Sequence, residues 1–538
     1  MRLGHNGWWQ GVLRALALGV VVVLMVPGPF ALAQEQPRSG GELIMAVPSE
    51  PPSYDGHREE TFGLIHPIAP FYSLLLRVDP NDYTKVVGDV AERWTVADDK
   101  LSYTFTIRKG VTFHDGSPVT AQDVKASYDK IIFPPAGVVS DRQGQYAVVE
   151  AIEAPDDSTV RFRLKWPSAS FLLSLASPWN FIYKADTLAK DMHWYEQNIM
   201  GSGPFVFVEH VRGSHLVGKR NPNYWDKGKP YLDGYRALFI SDTAARVAAL
   251  KGERAHIEFR GLAPKQRDEI VKALGAKVTV QESPWDCILL VTMNHEKKPF
   301  DDPRVRRALT LALDRYEGSR VLSQIAMVKE VAGVQVPGTP YATPPEELAG
   351  LAGYGTKIEA SRQEARRLLK EAGAEGLSFT FKNRGIPMPY EPLGIWLIDQ
   401  WRKIGVNVNQ EVIEAAAYYK VLRAGEHDAA MDFQCGYIVD PDLDLYKFLS
   451  VDRNPSNYSR YSDRVLDDLY DKQSRATDPE ERKQYIRQFE KRLLAEEAHY
   501  IMTLQWQRII PHSAKVKGWK ITPSHYLNQQ LDTVWLAE

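Results

Sequence analysis

This sequence predicts a mixed α/β protein with more than one domain, and three observations carry that expectation. Helix-spaced and strand-spaced apolar segments alternate along most of the chain, which implies a sheet with helices on its faces. The chain's 538 residues exceed what a single hydrophobic core organises. Hydrophobic residues make up 44% and charged residues 25%, as in ordinary globular chains, which sets aside disordered and collagen-like classes.

The first segment reads as a targeting signal. Arg2 and Arg14 appear without any acid, an apolar run follows from Ala15 to Val26, Pro27-Gly28-Pro29 breaks it, and Ala31-Leu32-Ala33 precedes Gln34. This is the pattern of a secretory signal cleaved after Ala33. The apolar run is too short for a retained anchor, which needs roughly 20 residues. No cysteine lies near the cleavage point, so a lipid anchor is not expected and the mature chain should diffuse in a periplasm. Loss of residues 1–33 takes Lys+Arg from 66 to 64 against 68 Asp+Glu, a net charge of −4. That balance, without a basic block, argues against a nucleic-acid partner.

Further along, residues 41–47 (GELIMAV), 101–110 (LSYTFTIRKG) and 159–166 (TVRFRLKW) read as strands, with a helix over AQDVKASYDKI between the last two. The segment 304–317 has helical spacing, and Asp302-Pro303 supplies its cap and first turn. In SRQEARRLLKEAG, residues 361–373, Ser361 and Glu364 form a capping-box pattern and Gly373 a stop. Residues 392–413 read as a helix running into a strand, and 429–439 (AAMDFQCGYIV) as another strand. Two amphipathic helices, DRVLDDLYDKQSRA and PEERKQYIRQFEKRLLAEE, read as surface helices. Cys287 and Cys435 are the only cysteines, each on an expected strand. A bridge needs those strands to be neighbours, and two buried free thiols are the alternative.

Searched for catalysis, the chain yields no G-x-S-x-G, H-E-x-x-H, Walker-type loop or C-x-x-C. No catalytic residue, cofactor or metal is expected. CGYIVDPDLDLY, residues 435–446, spaces Asp440, Asp442 and Asp444 like a calcium loop, but Leu445 stands where glycine belongs and Val451 where the closing glutamate belongs. Pro441 makes the run a rigid exit from the preceding strand. Asp440 then sits where a loop leaves the carboxyl end of a strand, the place where α/β sheets bind ligands. Asp442 and Asp444 are expected to cap the turn beyond it.

Residues 91–131 (AERWTVADDKLSYTFTIRKGVTFHDGSPVTAQDVKASYDKI) resemble the signature of the family 5 extracellular solute-binding proteins, the peptide, dipeptide and nickel receptors of ABC importers. GSGPFVF, KRNPNYWDKGKPYLDGY, KKPFDDPRVRRALTLALDRYE, DQWRKIGVNV and the segment around Asp440 are similar to further blocks in the family's order. The resemblance implies a two-lobed periplasmic binding protein fold with a hinge. Lobe I would comprise residues 40–68, 200–285 and 506–538, with an inserted subdomain at 69–199, and lobe II residues 286–505. It also implies a monomeric receptor that delivers a peptide-like small-molecule solute to a permease and its ATPase subunits.

Within that resemblance, Gly436-Tyr437-Ile438-Val439-Asp440 matches the strand end whose aspartate holds a peptide's ammonium, with Tyr437 in place of tryptophan. Arg384 matches, by its spacing to Trp401 and Lys403-Ile404-Gly405-Val406, the arginine that meets the ligand carboxylate, although Gly385-Ile386 depart from the pattern. Asp440 and Arg384 could instead pair with each other. Trp179, Trp285, Tyr437 and Trp506 are candidate aromatic walls, and Tyr54 and Asn457 candidates from neighbouring loops. The alternatives are a non-peptide solute (an opine, an oligosaccharide or a metal chelate), a secreted hydrolase, or a solute sensor.

Overall fold

The computed structural model describes residues 35–386 and 388–538, so the expected signal segment and its cleavage point lie outside the described residues. Residues 37–538 form one unit that contains two four-stranded sheets and one five-stranded sheet, together with two short ribbons.

In the first sheet Glu42–Val47 runs parallel to Gly234–Phe239, followed by His215–Arg220 and Phe205–Val211 in antiparallel order. Leu43, Met45 and Val47 alternate along their strand, as a pleated face requires, and bury against Phe71, Tyr72, Trp179 and Tyr235. The second sheet is wholly antiparallel and joins Ala91–Val96, Ser102–Ile107, Thr159–Leu164 and Val149–Asp156. Tyr103, Phe105 and Ile107 face Val160, Phe162 and Leu164 in its core. Helix Ala121–Ile132 covers it and starts where Asp123 accepts the Thr120 N–H at 2.8 Å.

The third sheet has the order Asn407–Ile413, Ser378–Arg384, Ala429–Cys435, Val278–Met293, Tyr500–Ser513. Its first three strands are parallel and end at one edge, while the last two are antiparallel to their neighbours. Leu289, Val291 and Met293 pack with Phe381 and Trp401 on one face. Ile288 and Leu290 pack with Phe448, Phe489 and Met502 on the other. Burial on both faces explains why CILLVTM reads as a continuous apolar run with no alternation.

Val278–Met293 and Tyr500–Ser513 are long strands that pass from one core to the next. Val278–Pro284 pairs with Gln507–Ser513, whose Ile510 lies in the core of the first sheet, and Ile288–Thr292 pairs with Tyr500–Gln505 in the third. The register shifts between Pro284 and Leu290. Pro284 has no N–H to continue the ladder, so the break falls where the sequence forces it.

Several local expectations are corrected. The helix expected over 304–317 is two helices, Pro303–Leu311 and Arg315–Leu322, because Asp314 accepts the Glu317 N–H at 3.0 Å and starts a second one. Ser361 and Glu364 do not cap: the helix spans Ile358–Glu371 and begins a turn earlier, in a register that lets buried Arg362 donate to the Gln400 side chain at 2.8 Å. The strand expected over 429–439 ends at Cys435. Arg482 and Glu490, on a helix expected at the surface, are buried.

Cys287 and Cys435 stand directly opposite each other in the sheet, with Cα atoms 4.1 Å apart, and are bonded. The bridge closes a loop across a sequence separation of 148 residues, large enough for the chain-entropy contribution to reach the upper part of the usual range, roughly 2–5 kcal/mol. The variant with both cysteines replaced by serine should therefore keep the fold and lose stability of that order. Denaturant unfolding of the oxidised protein against the variant checks it, and equal midpoints would refute it.

Candidate functional site

The segment after Cys435 joins the third sheet to the second. Gly436 donates its N–H to the Asp286 carbonyl at 2.9 Å, and a Cβ there would lie 2.2 Å from Asp286 Oδ2, so any side chain would push the Asp286 carboxyl aside. Tyr437 donates its hydroxyl to Gln145, and its carbonyl accepts from Ser524 Oγ at 2.6 Å. Ile438 is buried in the core of the second sheet.

Asp440 is the N-cap of helix Pro441–Tyr446 and accepts the Asp442 N–H at 2.8 Å, with Pro441 in the first turn. Its carboxylate also accepts from Ser170 Oγ at 2.6 Å and from Arg482 at 3.2 and 3.4 Å, and Arg482 donates to the same Ser170 at 2.8 Å. The sequence expects a carboxylate offered to a solute. The structure shows one only 4% exposed and engaged by Arg482 and Ser170. Asp440 does not pair with Arg384.

Asp442 and Asp444 are not turn caps. Asp442 accepts from Gln473 at 2.5 Å, Ser474 at 3.0 Å and Arg482 at 3.3 Å, which fastens the turn to helix Arg464–Arg475. Asp444 is 2% exposed and lies beside Asp286, 3% exposed. Oδ2 of each receives no donor from the described residues. Burial pushes the Asp286 carboxyl up to about 8, with the Asp440 charge adding to the shift, and holds the Asp444 carboxyl well above the usual range. With both carboxyls raised, each keeps its proton near neutral pH, so one donates to the other and neither leaves a charge buried.

A second feature is a belt of rings and cations that begins at the carboxyl end of strand Ser378–Arg384. The Arg384 guanidinium lies 5.1 Å from the Tyr419 ring, 5.4 Å from Tyr390 and 5.7 Å from Phe433, and donates to Tyr390 Oη at 3.0 Å. Tyr390 meets Trp506, which meets Trp285 edge-on at 5.4 Å, and Trp285 meets His525 at 5.3 Å. Arg260 lies over Trp285 at 5.5 Å and over Phe62 at 5.1 Å. His525 stacks on Tyr526, Tyr526 meets Trp179, and Arg142 covers Trp179 at 5.0 Å. Next to the Arg142 end opens a cavity of about 710 Å³, lined by Gln145, Trp166 and Phe171 on one side and Ile438, Asp440 and Tyr470 on the other. That volume suits a small organic solute.

Of the residues singled out from sequence, Arg384, Trp506, Trp285 and Trp179 fall on this belt. Tyr437 and Asp440 belong to the adjoining contact between sheets. Tyr54 is elsewhere, with its hydroxyl 2.6 Å from His210 Nδ1. Asn457 is structural: it donates to the Leu449 and Tyr461 carbonyls and accepts from Tyr500 Oη at 2.9 Å. Sequence reasoning missed Arg260, Arg482, Asp286, Tyr390, Tyr419 and Tyr526. Only Asp286, next to Trp285 and Cys287, lay beside residues already singled out.

The raised Asp286 carboxyl has a testable consequence. Because Asp286 titrates above its ordinary value of 3.8, its contribution to stability is complete below that pH and is lost as pH rises through about 8. Asp286→Asn, neutral at every pH, should match the wild type near pH 4 and exceed it near pH 8 by on the order of 1–3 kcal/mol. Urea unfolding at both pH values measures this, and a variant no more stable near pH 8 would overturn the raised Asp286 carboxyl.

Comparison with known proteins agrees with this architecture. The model of the bacterial extracellular solute-binding proteins, family 5 (middle region), matches residues 85–456. Di/tripeptide-binding protein 2 of Pseudomonas aeruginosa is 29% identical over 496 residues, covering 87% of this chain and 89% of that protein. Heme-binding protein A of Haemophilus influenzae is 29% identical over 473 residues, covering 82% and 83%. Among solved structures, an ABC transporter-associated periplasmic binding protein from Helicobacter pylori, in complex with the peptide STSA, superposes with a TM-score of 0.75 at 25% identity over 93% of this chain and 99% of that one. The two-lobed fold and the family match together place this chain among the family 5 bacterial extracellular solute-binding proteins.

Proposed function

We propose that the protein is the periplasmic receptor of an ABC importer, capturing a small peptide-like solute between its lobes and delivering it to a permease driven by cytoplasmic ATPase subunits. The lobes are taken as residues 40–68, 200–285 and 506–538 with the insertion 69–199 on one side, and 286–505 on the other. The hinge lies at Trp285 and Trp506, where the two long strands shift register. Secretion by the signal segment, cleaved after Ala33, belongs to the same proposal.

The observation that carries the solute class is Arg384. It is held at a strand end by three aromatic rings, and its Nε is buried without a partner among the described residues. A guanidinium fixed in this way suits a carboxylate, because two parallel charge-assisted hydrogen bonds form without further ordering of the side chain. The name of the di/tripeptide-binding relative supports the peptide class. Asp440 enters through the lobe contact it makes with Ser170 and Arg482, so it acts on binding by favouring closure.

Thermal-shift screening of dipeptides, tripeptides, sugars, opines and haem, followed by calorimetry, tests the proposal. Dipeptides should raise the melting temperature, and Arg384→Gln should weaken their binding by about 1.5–3 kcal/mol, the worth of a charged hydrogen bond. A shift with sugars and none with peptides would overturn the solute class.

A further inference from the structure

Arg260 is a half-buried arginine on the aromatic belt. Its guanidinium makes no hydrogen bond or ion pair with the described residues, and its Nε is shielded from water. Arg142, at the other end of the belt, differs: it donates to the carbonyls of Gly56, His57 and Glu59. Arg260 instead lies over Trp285 and Phe62, beside the same Trp285–Trp506–Tyr390 row that leads to Arg384. Burial raises the Tyr390 hydroxyl to about 12 against the pull of Arg384 and Arg260, so both cations act on one group.

No acid among the described residues bonds to the Arg260 guanidinium; the charge of Glu258 reaches it but is shared with Arg246 and Arg508. Buried Arg508 donates only to carbonyls, those of Thr522, Phe259 and Arg260, and Arg246 to the Ile240 and Ser241 carbonyls and Thr243 Oγ1. Glu258 is buried and spends its carboxylate on the N–H groups of Arg260 and Gly261. Glu60 acts on Tyr526 from the other side without bonding to Arg260. His66 and His525 are held neutral by burial. Near Arg384, Asp432 is paired with Lys447 at 2.8 Å. This stretch of the belt therefore holds two aromatic-mounted guanidinia in excess of the acids that pair with them, and a partly buried cation calls for an anion.

We propose that Arg260 is a second anion-binding residue of the cleft, so that the preferred solute is a small molecule with two carboxylates, one for Arg384 and one for Arg260. This rests on Arg384 as carboxylate anchor and narrows the peptide class to acidic members. Calorimetry on the mature, disulfide-bonded protein with the isosteric pairs Ala-Glu/Ala-Gln and Glu-Ala/Gln-Ala tests it. In at least one pair the acid should bind about tenfold or more tightly than the amide, the worth of one charge-assisted bond. Arg260→Gln should abolish that preference while leaving amide binding little changed, and Arg260→Lys should retain part of it. Equal affinities within both pairs, or a preference that survives Arg260→Gln, would overturn the proposal. If amides bind well and acids no better, only the role of Arg260 falls; if no dipeptide binds at all, the peptide-receptor reading falls with it.

Discussion

Everything that positions the site depends on the antiparallel pairing of Val278–Met293 with Tyr500–Ser513. These two strands belong to one ladder yet serve two cores, and their register breaks over a few residues between Pro284 and Leu290. Trp285, Asp286 and Cys287 fall inside that break. One residue reaches the aromatic belt, the next the buried carboxyl pair, and the third the disulfide. Alternation persists through the break: Trp285 and Cys287 share the face of Leu289 and Val291, while Asp286 points the other way, towards the second carboxyl.

The charges around this crossing follow one rule: acids are satisfied inside the protein, while two cations are not. Asp440 and Asp442 share Arg482, and burial keeps Asp286 and Asp444 protonated near neutral pH. Arg260 and Arg384, both half-buried, rest on aromatic faces, an interaction worth on the order of 0.5–2 kcal/mol that leaves their charge uncompensated. An anion from outside the chain is the partner such an arrangement lacks.

Much of the fold was legible because local signals agreed with tertiary demands. Asp302-Pro303, Gly373 and the alternation in SYTFTI all act as their sequence suggests. Ser361 failed because a buried arginine one residue away set the helix register. The site was legible only in part. Arg384 and the tryptophans lie at strand ends, where a resemblance and the logic of parallel sheets both point. Arg482 could not be found, because its partners Asp440 and Ser170 are 42 and 312 positions away and nothing in PEERKQY distinguishes an inward arginine from a solvated one. Arg260 was invisible for a related reason: what marks it is the absence of a counterion, and absence has no spacing.

A binding protein that works by closure needs its open and closed states within a few kcal/mol of each other, so that the solute decides the balance. The contact around Asp440 suits that requirement. Ser170, Asp440 and Arg482 form a directional triad, flanked by the apolar contacts of Ile438, Tyr437 and Leu443. A buried ion pair returns little more than its own desolvation cost, so such a contact fixes the geometry of closure without supplying a large driving force. The free energy that favours closure is then left to a solute that bridges the belt. The residues best placed to receive it, Arg384 and Arg260, lie on opposite sides of the strand break, each already mounted on rings that keep it from folding back onto the protein.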